Sequence, residues 1–101
     1  GILSELGLLV YKNHTKICAG WIYETNSRSV LFGWFISDRN LEKSIREEAL
    51  NLLCKEGHRI CKELGYEFVI TYSQNTKMMD RLKAFNYIEA DKNVIQLIKK
   101  L

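Results

Sequence analysis

Apolar and polar positions fall into blocks along this chain, and the period changes from block to block. Leu6 to Lys12 is apolar and β-prone, which predicts a strand. Asn13, His14 and Thr15 form a polar turn. Ile17 to Glu24 is the second predicted strand, and so short a link favours an antiparallel hairpin. Thr25 to Ser29 is a second polar turn. Val30 to Ser37 is the third strand. It is nearly continuous in apolar residues, which predicts burial on both faces.

The period then lengthens. Ile45, Ala49, Leu52, Leu53, Ile60 and Leu64 recur at spacings of three, four and seven, so a helix is predicted from about Ser44 to Leu64. Ser44 or Asn40 is the expected cap, and Glu47 and Glu48 sit early, where the helix dipole favours negative charge. Gly65 is a natural stop. Gly57 lies on the apolar face. A glycine inside a helix costs about 1 kcal/mol, so it is expected to serve close packing against the sheet. Glu67 to Tyr72 predicts a fourth strand, parallel to the third through a right-handed crossover. Ser73, Gln74, Asn75 and Thr76 are the candidate caps of a second helix, Lys77 to Phe85, with Met78, Leu82 and Phe85 on its apolar face. Asn86 breaks it. Tyr87 to Ala90 and Val94 to Lys100 read as two short strands about a turn at Asp91–Asn93, with a helix from Val94 to Leu101 as the alternative. The expected architecture is α+β. It is a mixed, mostly antiparallel sheet in the order β-β-β-α-β-α-β-β with two packed helices, in one domain spanning 1–101.

Composition narrows the function only a little. The net charge is +3 over 101 residues with no dense basic block, a poor basis for nucleic-acid binding. No apolar run reaches membrane-spanning length. Cys18, Cys54 and Cys61 form no C-x-x-C pair, so they are read as reduced thiols of a cytoplasmic protein. Cys54 and Cys61 are seven apart on the long helix and are expected to be small buried hydrophobes. His14 and His58 have no partner at metal-ligand spacing and are expected to be solvated, with no metal site.

Chemistry is concentrated in Ser29 to Gln74, a strand–loop–helix–strand unit. Such a unit sets the loop and the helix N-terminus at the carboxyl end of the strand. Unpaired amides and the helix dipole there favour an anion. Several stretches then carry a family likeness. KICAGWIY, LFGWFISD, the helix REEALNLLCKEGHRICKELGY and the segment NTKMMDRLKAFNY resemble, in order and apolar pattern, the GNAT superfamily of acyl-CoA N-acyltransferases. The likeness runs from Lys16 onward. In the last segment Asn75 keeps the family's asparagine, Met78 takes an alanine position and Asn86–Tyr87 stand for Gly-Phe.

The resemblance implies transfer of an acetyl group from acetyl-CoA to a small-molecule or peptide amine by direct attack. It implies cofactor contacts at Trp34, Phe35, Ile36 and Ser37, diphosphate contacts at Arg39 and Arg46, and Asn75 near the sulfur. Glu24, Asp38, Tyr72 and Ser73 are the candidates for moving the proton, of which Glu24, Tyr72 and Ser73 are carried forward as catalytic candidates. The chain also departs from the family pattern. The glycines of the pyrophosphate loop are replaced around Glu48 to Asn51, Leu82 stands where many members have a tyrosine, and the usual first strand and two helices have no counterpart before Leu6. Without them a sheet face and an edge strand are expected to be uncovered. A non-catalytic interaction module, or a homodimer, is therefore the alternative, with Tyr11, Trp21 and Tyr23 as its surface.

Overall fold

The computed structural model describes residues 2–73, 75–90 and 97–100. It is an α+β arrangement of one four-stranded mixed sheet and two helices. Strands β1 (Ile2–Lys12), β2 (Thr15–Thr25) and β3 (Ser29–Ser37) form an antiparallel meander. Helix α1 (Lys43–Glu63) crosses to β4 (Phe68–Ile70), which pairs parallel to β3, and α2 (Thr76–Ala84) follows.

Both hairpins turn where polar residues interrupt the apolar blocks. Asn13 and His14 adopt left-handed φ values of 50° and 67°. Asparagine accepts that region more readily than most residues. Between β2 and β3, the Thr25 hydroxyl accepts from the Ser27 amide at 3.2 Å. The Tyr66 hydroxyl closes the same end, donating to the Thr25 carbonyl at 2.8 Å and accepting from the Thr25 amide at 3.1 Å.

Helix α1 lies across β1, β2 and β3, and the core forms beneath it. Ile22, Val30 and Phe32 from the sheet meet Ala49, Leu53 and Cys61 from the helix. Gly57 makes this approach possible. A Cβ there would sit 2.2 Å from Cζ of the fully buried Phe32. Helix α2 packs beside α1 through Met78 and Leu82 against Cys54. Of the candidate caps it is Asn75 that caps α2, its side-chain carbonyl accepting from the Met78 amide at 3.0 Å. Gly65, at φ +93°, terminates the first helix.

Several expectations need correction. α1 starts two residues after Leu41, with Glu42 as its cap and no side-chain cap bond, so neither Asn40 nor Ser44 caps it. Asp38 instead organises the preceding loop, its carboxylate accepting from the Asn40 amide at 2.9 Å and its carbonyl from the Leu41 amide. Strand β4 is half the predicted length. β3 is not buried on both faces, because Trp34 and Ile36 are exposed. Tyr87 to Ala90 forms no strand. Asn86 turns left-handed at φ 71° and the Tyr87 ring is drawn onto α1 rather than to the sheet edge. Residues 97–100 carry no regular structure, and the predicted turn at Asp91–Asn93 and the residues Val94–Gln96 lie outside the described set.

Candidate functional site

The parallel pair β3–β4 is short. Its register runs Ser29 to Phe68, Val30 to Val69 and Leu31 to Ile70, and there β4 ends. β3 continues for six more residues, to Ser37, paired only on its β2 side. The two chains therefore part at the carboxyl end of the pair, where the loop to α1 also begins.

β3 is irregular along the same stretch. Two steps on β2, from Ala19 to Trp21, face three on β3, from Ile36 to Gly33, so β3 carries a bulge at Trp34–Phe35. Trp34 holds φ 56°, a left-handed conformation that an L-residue with a bulky side chain adopts at a cost of about 1–2 kcal/mol. Its indole is 61% exposed and meets the Tyr23 ring edge-on at 5.5 Å. Phe35 turns the other way, packing at 5.0 Å on Phe32 and against Gly20.

Backbone polarity past the bulge follows from one bond. The Asp38 amide donates to the Ile17 carbonyl at 2.9 Å. Alternation along an antiparallel ladder then directs the Ile36 amide toward β2 and the Ser37 amide away from it, into the space beyond the end of β4. Of the amides expected to contact a cofactor, Ser37 is thus available and Ile36 is engaged by its neighbour strand. A depression of about 310 Å³ lies on the β2 side of this end of β3, lined by Ile17, Ala19 and Ile36 with Lys16 and Asp38, and no residue of β4 or α1 contributes to it.

Helix α1 brings its N-terminus to the same end. Its first turn is Lys43 to Arg46 and contains no carboxylate. Glu47 and Glu48 fall in the second turn, exposed, and Glu47 lies 3.7 Å from Lys43. Their charges therefore stand clear of the first turn, one turn further along than the helix dipole favours most. Glu42, exposed at the cap, and Asp38, exposed in the loop before it, are the acidic residues at this end.

Two buried side-chain polar atoms lack a hydrogen-bond partner among the described residues, Arg46 Nε and Thr71 Oγ1. Burying such atoms unpaired costs about 1–3 kcal/mol each. Arg46 is on the first turn of α1 and Thr71 directly follows β4, so both lie at the carboxyl end of the parallel pair. Thr71 Oγ1 is 3.1 Å from where a Cβ on Gly33 would lie, so Gly33 gives the threonine its place. Sequence reading missed Thr71. Nothing in its spacing marks it, and only the early end of β4 brings its hydroxyl to this place.

The remaining candidates divide. Arg39 is exposed in the loop, near α1 in sequence. Tyr72 is exposed and Ser73 half-buried just beyond Thr71, where the Ser73 hydroxyl accepts from the Asn75 amide at 3.2 Å. Glu24 is not brought to them. It lies at the opposite end of the sheet, accepting from the Tyr66 hydroxyl at 3.3 Å. His58 is not solvated either. It is half-buried among Phe32, Phe85 and Tyr87, with Nε2 2.6 Å from the Tyr87 hydroxyl. Burial lowers its pKa from the usual 6.5. All three cysteines are buried free thiols, each pushed up to about 11 mainly by desolvation, so none is a ready nucleophile.

Among the described residues no group of three or more metal-ligating side chains occurs, and no helix is long and apolar enough to cross a membrane. No protein-family model, no curated protein and no solved structure matches the chain.

Proposed function

We propose that this chain is an N-acyltransferase that takes an acetyl group from acetyl-CoA and passes it to an amine. The observation that carries the reading is the parting of β3 and β4 after Leu31 and Ile70, with the bulge at Trp34 on the strand that continues. A strand pair that opens at its carboxyl end leaves amides for an extended amide-bearing ligand such as pantetheine. Strain of the Trp34 kind persists where the surroundings hold a site in shape.

The residues at this end fit the donor in part. A diphosphate needs amides and cations, and the first turn of α1 supplies free N–H groups with Lys43 and Arg46 beside them. The unpartnered Arg46 Nε is the donor such an anion satisfies. The Ser37 amide suits the acyl carbonyl, where a fixed N–H stabilises the oxyanion as the amine attacks. The amine nitrogen bonds to the acyl carbon, the carbon–sulfur bond breaks, and the thiolate takes up a proton. Tyr72 and Ser73 follow Thr71 just past the end of β4 and are the proposed route for the proton. Glu24 has no part in this step. Arg39 reaches the diphosphate only from an exposed loop, and Asn75 serves its helix first.

A second reading, a non-catalytic module, is favoured by the uncovered aromatic face of the sheet. One experiment separates the two. Acetyl-CoA titrated at up to millimolar concentration is expected to raise the melting temperature. Incubation with a panel of amines is then expected to release free CoA thiol. A thermal shift without thiol release leaves a binding module, and no thermal shift removes the donor site altogether.

A further inference from the structure

We infer that the outer edge of β1 is the seat of a second copy of this chain, joined antiparallel so that two four-stranded sheets become one. The inference stands apart from the acyl-donor site, which is at the other edge of the sheet.

β1 is an edge strand of 11 residues, and among the described residues no strand pairs with its outer side. Exposed edges of this length are normally blunted by inward charges, proline or bulges. From Leu6 to Tyr11 there is no charge and no proline, and the ladder to β2 is irregular only toward its ends, between Ile2 and Glu5 and between Val10 and Tyr11. The strand is apolar on both faces. Leu8 and Val10 lean on the core under α1, while Leu9 and Tyr11 are 49% and 56% exposed on the opposite face. The Ala19 amide belongs to the β2–β3 ladder, so its partner Leu9 turns its own N–H and C=O outward, as does Gly7 two residues earlier. The edge thus presents a ready ladder.

What fits it is a strand that needs covering on both faces, and β1 itself is such a strand. Beside the edge runs an apolar groove of about 320 Å³ between β1 and α1, with Leu52 and Ile60 in its wall. A second β1 would set its own Leu8 and Val10 over that groove. Charge fixes the direction. The hairpin has an acidic end at Glu5 and Glu24 and a basic end at Lys12 and Lys16. An antiparallel pair brings unlike ends together at both extremities, whereas a parallel pair would stack like charges. The two-fold keeps residues of one face together, and the register that centres the uncharged stretch puts Leu8 on the axis. Gly7 then faces Leu9 of the partner subunit. Gly7 has no side chain, and a Cβ there would lie 3.2 Å from Nε1 of the Trp21 indole, so that leucine covers both.

Light scattering at tens of micromolar chain is expected to give a dimer. Lys12→Glu and Glu5→Lys, both at exposed positions, should each raise the dimer dissociation constant by about two- to threefold, since Glu5 lies one position along from the partner's Lys12 rather than directly opposite it. The double swap Glu5→Lys with Lys12→Glu should restore it. Leu8→Cys should cross-link on oxidation, since directly opposed residues of a non-hydrogen-bonded pair lie within disulfide reach. Val10→Cys, off the axis, should not. A monomer at every concentration overturns the inference. So does a dimer that ignores the charge variants and leaves Leu8→Cys uncross-linked, since it would be using another surface.

Discussion

At the scale of single residues, Gly57 shows how one position fixes the distance between helix and sheet. Gly57→Ala gains about 1 kcal/mol of helix propensity. It also forces a methyl group into Phe32, and overpacking of a tight core costs about 1–3 kcal/mol. The overlap at 2.2 Å is severe enough that net destabilisation is expected, read as a lower urea midpoint. His58 carries a pH dependence whose sign follows from its burial. Its folded pKa lies below the unfolded value near 6.5, so protonation favours the unfolded chain. The stability it protects is complete above pH 6.5 and is lost as pH falls below it. A melting temperature that drops between pH 6.5 and 5, with the drop reduced in His58→Gln, is the expected result; an equal drop in both proteins would assign it to other groups. The packing role of Gly57 was legible from its place on the apolar stripe. The place of His58 was not, because its partners Phe85 and Tyr87 come from a segment 27 to 29 residues further on and helical spacing says nothing of them.

At the scale of elements, the three-strand meander and both helices were legible because each has a clear period and a polar or glycine boundary. β4 was overestimated since Thr71 and Tyr72 are good strand formers whose neighbour strand bends away at the Trp34 bulge, leaving them nothing to pair with. A bulge of that kind leaves no mark in the sequence, since a glycine is the usual occupant of its left-handed position and here it is tryptophan. Tyr87 to Ala90 read as a strand from its residue types, yet the Tyr87 hydroxyl and ring are spent on α1. The cap of α2 is testable on its own. Asn75→Ala removes the acceptor of the Met78 amide and should cost about 1 kcal/mol, while Asn75→Asp, which keeps the acceptor, should cost much less. If Asn75→Ala leaves stability unchanged, the cap is not what holds α2.

For the whole molecule, the helices occupy one face of the sheet, and the other bears Leu9, Trp21, Tyr23, Trp34 and Ile70 without a covering helix among the described residues. The sequence suggested both this open face and the strand–loop–helix unit that heads the proposed donor site, because both depend on the order of elements. It did not single out the residues that matter within the unit. Arg46 stood out only as a cation near a helix start, and Thr71 not at all, since the burial of their polar atoms depends on how β3 and β4 separate. The proposed acyl transfer requires that separation to be a ligand site. The most direct measurement is a titration of the isotopically labelled chain with acetyl-CoA, followed by amide and arginine Nε resonances. Saturable shifts at the Ser37 amide, the Thr71 amide and Arg46 Nε are expected, with affinity falling about tenfold in Arg46→Ala, the ~1.4 kcal/mol equivalent of one lost charge-assisted contact. Resonances that stay still at millimolar acetyl-CoA, or that move only in the groove between β1 and α1, would contradict it.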